Sequence, residues 1–224
     1  MASDCDVFRK RHIVAFIYWH GSNYWGGVLV LIKKSYLVIC LFLSATLTSN
    51  SNTALASASM TEGNAISAPW GFIDFCKRSP KECPSSQQKV QKVPLTPKRA
   101  AELAIVQLHV NRKIIYATDG DHYGRKEYWN YPRVRGDCED YALEKRRRLI
   151  AAGWPRSALL LTAARMQNGQ KHLVLVAVTE MGDFVLDNLS QNVRHWKSMD
   201  YRWLGRQSRF KESDWVSLNT DGTE

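Results

Sequence analysis

Three residues of this chain could together do covalent chemistry: a thiol, an imidazole and a carboxylate, at Cys138, His172 and Asp187. In such a set the imidazole takes the thiol proton and later returns it to a leaving amine, while the carboxylate fixes the imidazole tautomer. Chance combinations of one Cys, one His and one Asp are common, so the neighbourhood of the thiol has to carry the argument. Cys138 lies in Gly136-Asp137-Cys138-Glu139-Asp140-Tyr141, after a turn-rich segment containing Asn130, Pro132 and Gly136. Ala142 to Ala152 holds no Gly, no Pro and a single β-branched residue, Ile150. This predicts a helix from near Cys138 to Gly153, with Pro155 just beyond. A cysteine on the first turn sits where unpaired backbone N–H groups and the macrodipole favour a thiolate. The backbone N–H of Cys138 is also a natural oxyanion donor. Asp137, Glu139 and Asp140 act in the opposite sense and raise the thiol pKa. Acids at a helix start ordinarily serve as caps, but this crowding exceeds what a cap needs. A reactive Cys138 requires a cation nearby.

The elements that must position these groups can be read in order. Trp70 to Gln91 reads as an irregular entry segment. Leu95-Thr96-Pro97 starts a helix, with Thr96 as N-cap and Pro97 at the first helical position. Its apolar stripe, Leu103, Val106, Val110 and Ile114, is a core face, and His109 beside it reads as structural. Thr118 to Pro132 reads as a loop rich in Asp, Gly and aromatic residues, serving either a substrate cleft or packing. In the following helix Ala142 and Leu149 face the core with Cys138 and Tyr141, and Lys145 to Arg148 read as a solvated flank. Ala158–Ala164, Leu173–Thr179 and Phe184–Leu189 are then three consecutive antiparallel strands, joined at Asn168-Gly169 and at Met181-Gly182-Asp183. His172 stands at the mouth of the middle strand and shares a face with Val174, Val176 and Val178. A two-residue Met181-Gly182 loop would set Asp187 opposite Val176, about 13 Å along the strand from His172. Contact between the two requires a larger or shifted turn, or a bulge. Ser198 to Leu218 reads as a last strand or loop covering the core.

The chain has 224 residues, 45% of them hydrophobic, enough for one substantial core. Its formal charge is +10. Nucleic-acid binding is the usual suspicion for such a balance, but no aromatic RNP motif, zinc finger or basic heptad is present. Lys33 and Lys34 precede an apolar run, Tyr36 to Leu47, and then Ala54-Leu55-Ala56-Ser57-Ala58. A basic start, a short apolar run and an A-x-A site describe a secretory signal cleaved between about Ala54 and Ser59. The natural start of such a signal would lie near Val28 to Leu31. Two membrane spans or an uncleaved anchor are the competing reading, and export follows from either. Cys5 and Cys40 belong to or precede the signal. Cys76 and Cys83 suit a local disulfide in an oxidising compartment, with metal ligation as the alternative. Cys138 is left as the odd cysteine.

The stretch GDCEDYALEKRRRLIAAGWP, followed by LLLTAAR, KHLVLVAV and GDFVLDNL, resembles the bacterial transglutaminase-like cysteine peptidases, the LapG-like periplasmic proteases. VNRKIIYATDGDHYGRKEYW upstream and YRWLGRQSRFKESDW downstream are similar to that family's flanks. The likeness spans roughly Trp70 to Leu218. It implies an α+β, papain/transglutaminase-like fold with the nucleophile helix packed on an antiparallel sheet. The chain then divides into a targeting segment, 1–58, an entry segment, 59–94, and the peptidase domain, 95–224. By resemblance Cys138 is the nucleophile, His172 the base and Asp187 its orienting partner. A Ca²⁺ ion falls to Asp137 and Glu139 with Asp140 helping, and oxygen-only donors suit that ion. The implied protein is a periplasmic, calcium-dependent endopeptidase acting on a surface adhesin or other exported protein, under an inner-membrane regulator. It takes no nucleic acid and meets the membrane only through an uncleaved N-terminus. Acyl transfer to an amine, and a non-catalytic binding module on the same fold, remain the alternatives.

Overall fold

A computed structural model describes residues 59–219; the signal expected in residues 1–58 lies outside the described residues. The chain opens with strand β1 (Thr61–Ile66), helix α1 (Trp70–Arg78) and helix α2 (Pro97–Lys113). Next come β2 (Ile115–Tyr116), the short helix α3 (Asp119–Tyr123), β3 (Arg135–Gly136) and helix α4 (Cys138–Ala151). The strands β4 (Leu159–Met166), β5 (Lys171–Thr179), β6 (Gly182–Leu186) and β7 (Arg194–His195) follow, then β8 (Tyr201–Gln207) and β9 (Trp215–Asn219). Seven of the strands form one antiparallel sheet in the order β1-β9-β8-β4-β5-β6-β7, and β2 and β3 make a separate parallel pair. The expected α+β architecture, with the helix that begins at Cys138 packed on an antiparallel sheet, is therefore present. No helix among the described residues is long and apolar enough to cross a membrane.

Sheet and helices meet on β5. Its residues Leu173 to Val178 are at most 3% exposed, so this strand is buried on both faces. A nearly continuous aliphatic run is what such a position requires, each side chain contributing about 1.5–3 kcal/mol on burial. Helix α4 packs on β5, and α2 packs on α4. The start of α2 is as expected: Thr96 accepts from the N–H of Arg99, with Pro97 at the first helical position. Leu103, Val110 and Ile114 are buried, Val106 is partly so, and His109 is exposed on the helix surface. Helix α4 ends as expected at Gly153, whose φ of +83° an L side chain rarely adopts.

Four local expectations are corrected. The entry segment is not irregular throughout, because Trp70–Arg78 is helical. Its buried face is short, Phe72 against Trp129 and Trp215 and Phe75 against Tyr131, too few turns to display a period. A disulfide joins Cys76 to Cys83 just past its end, with Cα atoms 5.5 Å apart. The Thr118–Pro132 loop contains α3, capped by Thr118 through the N–H of Asp121. The tail forms two strands, β8 and β9, and β9 pairs with β1, which brings the entry segment into the sheet.

The fourth correction is the basic flank of α4. Lys145 and Arg146 are buried, and only Arg147 and Arg148 reach solvent, both pairing with Glu144. Arg146 donates to the carbonyl of Leu159 at 2.9 Å and to Glu212 at 2.5 Å, and Glu212 also binds Arg156 at 2.6 Å. The tail thus supplies a buried carboxylate that turns part of the basic run inward, which no pattern within the helix could reveal.

Candidate active site

The hairpin β5–β6 brings His172 and Asp187 together by a shift of its turn. Thr179 pairs with Gly182, so the two-residue turn is Glu180–Met181 rather than Met181–Gly182. With Leu175 opposite Leu186, the next residue, Asp187, comes opposite Val174 instead of Val176. That leaves two residues, about 7 Å, between Asp187 and His172 along the strand, on the same face. The remaining gap closes because β6 ends at Leu186 and Asp187 opens a turn. His172 Nε2 lies 2.8 Å from Asp187 Oδ1.

The turn is held from α2. The side-chain amides of Gln107 and Asn111 donate to the carbonyls of Asp187, at 2.6 and 3.0 Å, and of Ser190, at 2.5 and 2.7 Å. The Asp187 carboxylate accepts two more hydrogen bonds, from the N–H of Leu189 at 2.9 Å and from the Tyr201 hydroxyl at 2.6 Å. Burial alone would push the Asp187 carboxyl upward. The charge and hydrogen bond of His172, with the Leu189 and Tyr201 donors, reverse this and hold it at about 2. Tyr201 also stands edge-on to the His172 ring, centroids 5.7 Å apart, and its own ionisation is pushed up by burial and by Asp187. His172 Nδ1 accepts no hydrogen bond among the described residues, so the nitrogen away from Asp187 is the one placed to take a proton.

Cys138 begins α4, whose first helical hydrogen bond runs from Tyr141 N–H to the Asp137 carbonyl. Because β6 stops opposite Leu175, the start of β5 is uncovered on that side, and the N–H of Leu173 donates to Cys138 Sγ at 3.3 Å. The sulfur therefore lies against the peptide that follows His172. Gly136 makes room for the Asp140 side chain, since a Cβ there would fall 2.5 Å from Asp140 Oδ2.

The acids around Cys138 are not acting as a side-chain cap. Asp137 occupies the N-cap position without a side-chain capping bond; instead its Oδ2 accepts from the N–H of Asp119 at 3.2 Å. Glu139 is fully buried, with Oε2 3.0 Å from the Cys138 sulfur. Carboxylate oxygens of Asp119, Asp137 and Glu139 all lie within 4.8 Å of one another. Asp119 Oδ1 and Asp137 Oδ1 are buried and meet no hydrogen-bond donor among the described residues. Burial, then the charge of Asp119, pushes Asp137 up to about 7. Burial, then Asp137, pushes Glu139 well above the carboxylate range, and burial raises Asp119. Three buried carboxyl groups, two of them with an oxygen that meets no donor among the described residues, form a set that could hold a metal, and an oxygen-only donor set fits a hard cation.

Of the expected ligands, the structure joins Asp137 and Glu139 but not Asp140. The Asp140 carboxylate turns to the N–H of Asn130, at 2.8 Å, and shapes the preceding loop. Sequence reasoning missed Asp119, Tyr201, Gln107 and Asn111. Asp119 sits in the acidic Thr118-Asp119-Gly120-Asp121 run, signal enough for a ligand loop. Gln107 and Asn111 are amides four residues apart on the otherwise apolar side of α2, a pattern that asks what they bind. Tyr201 had no comparable signal.

Comparison with known proteins follows the same lines. Residues 62–223 match the family model of the bacterial transglutaminase-like cysteine proteinases, BTLCP. Similar solved structures include calcium-bound LapG of Legionella pneumophila, 25% identical over 58% of this chain and 76% of that one, at a TM-score of 0.47. EGTA-treated LapG of the same organism is 24% identical over 58% and 72%, at 0.45. No curated protein matches. With nearly all of its described residues under that family model, the chain belongs to the bacterial transglutaminase-like cysteine proteinases and is a cysteine peptidase.

Proposed function

We propose that Cys138, His172 and Asp187 are the catalytic triad of a calcium-dependent endopeptidase that cuts an exported protein. The observation that carries this reading is the 2.8 Å contact of His172 Nε2 with Asp187 while the Cys138 sulfur accepts from the next residue's N–H. In the reaction His172 Nδ1 takes the thiol proton and the sulfur attacks the scissile carbonyl carbon. Charge on the carbonyl oxygen is met by N–H groups at the start of α4. The imidazolium then protonates the leaving amine, the C–N bond breaks and a thioester remains. Water, deprotonated by the same imidazole, attacks the thioester and releases the acid. Asp187, ionised well below neutrality, orients His172 and stabilises its cationic form.

Asp119, Asp137 and Glu139 are the residues that would hold Ca²⁺, and the convergence of their carboxylate oxygens, with Asp119 Oδ1 and Asp137 Oδ1 meeting no donor among the described residues, supports this reading. The ion would supply positive charge that offsets the carboxylates around the thiolate. Export to the periplasm is supported by the Cys76–Cys83 disulfide and the signal-like sequence before residue 59. A surface adhesin as substrate and an inner-membrane regulator rest on the sequence resemblance. The test is to incubate mature protein and Cys138→Ala with the surface proteins of the source cells, with and without chelator, and to map new termini. The reading expects termini made by the wild type alone and lost in chelator. Incorporation of a labelled amine without new termini would move the reaction to acyl transfer.

A further inference from the structure

We propose that the exported chain begins at Ser59, and that the α-ammonium created there is bound by the buried carboxylate of Asp183. This rests on the export reading above and adds where the signal is cut and what receives the new end. Two A-x-A sites stand before β1: Ala54-Leu55-Ala56, which would leave Ser57 first, and Ala56-Ser57-Ala58, which would leave Ser59. The surroundings of Ser59 and Met60 select the second. Met60 is buried in the core, 4% exposed, and its N–H donates to Asp183 Oδ2 at 3.0 Å. Ser59, one residue earlier, is half-buried. Asp183 is fully buried in β6, and its other oxygen, Oδ1, meets no donor among the described residues.

Arg206 gives Nη1 to Asp183 Oδ2 at 2.8 Å, and Nε and Nη2 to Glu62 Oε1 at 3.1 and 2.8 Å, so one guanidinium serves two acids. Arg209 lies near both acids, but it donates to the carbonyl of Gln91 at 3.1 Å and pairs with neither among the described residues. A buried carboxylate oxygen without a donor is costly. The Ser59 nitrogen is one residue, about 3.8 Å between Cα atoms, from the nitrogen that Asp183 already binds. In the uncut chain it is an amide with a single N–H. Hydrolysis of the Ala58–Ser59 bond by a signal peptidase adds the hydroxyl of water to the Ala58 carbonyl carbon and leaves Ser59 an amine. That amine takes up a proton and becomes a cation with three N–H donors, which the carboxylate beside it favours. Cleavage after Ala56 would keep two residues ahead of Ser59 and leave its nitrogen an amide. The captured end ties the start of the chain to β6, the strand that runs on into Asp187.

The test begins with N-terminal sequencing of the exported protein, which should read Ser59-Met60-Thr61. This chain is then compared with one that keeps Ala56-Ser57-Ala58, whose ammonium can stand about 10 Å further off. The chain that begins at Ser59 should melt about 3–10 °C higher at pH 7. The difference should vanish in Asp183→Asn. If Asp183→Asn fails to fold, labelling of the wild type decides. An acylating reagent at pH 7 should modify the Ser59 amine about tenfold more slowly in the folded protein than in urea, since pairing that raises its pKa by about one unit leaves a tenth of the free base. The labelled N-terminal peptide is quantified by mass spectrometry. An exported chain that begins at Ser57 overturns the proposal and leaves export standing. So does one that begins at Ser59 but shows no gain in Tm and labels as fast folded as unfolded. A chain that is never cut in the cell removes the export reading. If the same chain, made to begin at Ser59 by cleavage of a fusion, still shows the Asp183-dependent gain, the carboxylate site stands without it; if it shows none, both fall.

Discussion

Two groups of buried carboxylates lie on either side of Cys138 and are built in opposite ways. On the β5–β6 side, Asp187 is surrounded by donors: His172, the Leu189 N–H and the Tyr201 hydroxyl, with Gln107 and Asn111 holding its own backbone. On the α3–α4 side, Asp119, Asp137 and Glu139 face mainly one another, and Asp119 Oδ1 and Asp137 Oδ1 meet no donor among the described residues. The first group is a finished hydrogen-bond network and keeps its carboxyl ionised at about 2. The second pushes its members upward, Asp137 to about 7, because buried like charges oppose ionisation. The difference separates a site that is complete within the chain from an acidic cluster that could hold a metal ion.

Removing charge should therefore act oppositely on the two sides. Asp187→Asn should lower kcat by up to about 10⁴-fold, since the amide no longer selects the right imidazole tautomer. Added calcium should not rescue it. Single-turnover cleavage of a peptide substrate measures this, and a loss of less than tenfold would detach Asp187 from the triad. Asp119→Asn should act through the ion instead, raising the calcium needed for half-maximal activity by about tenfold or more while kcat at saturating calcium recovers. In chelator the same change should raise Tm, because it relieves repulsion among Asp119, Asp137 and Glu139. In calcium it should lower Tm relative to the wild type, because a ligand is lost. A shift of the same sign in both conditions would remove Asp119 from the metal site.

Tyr201→Phe sharpens the picture of the finished side. One hydrogen bond to a charged group is worth about 1.5–3 kcal/mol, so kcat should fall about tenfold or somewhat more, with KM little changed. A carboxylate short of one donor is also free to turn away from His172, so the pH profile of kcat/KM should move with it. A purely structural tyrosine would instead lower Tm and leave the profile where it was.

Much of this was legible before any fold was known, and the reasons differ by residue. Cys138 and its helix were readable because the local signals agree: turn residues before, a helix-forming run, Gly153 after. His172 and Asp187 were readable as candidates on adjacent strands, but their contact depends on a one-residue choice of turn, and both choices contain acceptable turn residues. The acids were readable as too many for a cap. Asp140 nevertheless serves Asn130 while Asp119, far back in the chain, takes its place, because tertiary folding decides which side chains converge. Lys145 and Arg146 were read outward because a basic run on a helix is ordinarily solvated, and the carboxylate that turns Arg146 inward comes from far along the chain. That carboxylate, Glu212, is 66 positions from Arg146.

Lys145 carries the prediction with the smallest effect on turnover and a distinct effect on stability. Its amine is fully buried, 5.8 Å from the centre of the Tyr141 ring, and its Nζ meets no hydrogen-bond acceptor among the described residues. Burial lowers its pKa to about 7 against the partial opposition of Asp187. A lysine in the unfolded chain titrates near 10.4. Between about pH 7 and 10 the unfolded state therefore binds more protons at this residue than the folded state, and stability rises with pH across that window. Below pH 7 both states are protonated and the folded protein carries the whole cost of a buried cation. Lys145→Met keeps the length of the side chain and removes the titration. Urea unfolding at pH 6 should then show a variant more stable than the wild type by a few kcal/mol, and the gap should shrink towards pH 10. Activity at neutral pH should remain close to that of the wild type, because Lys145 donates no hydrogen bond to the triad. A gap that stays constant with pH would mean that the amine keeps its charge when buried, with Asp187 and Tyr141 sufficient to hold it.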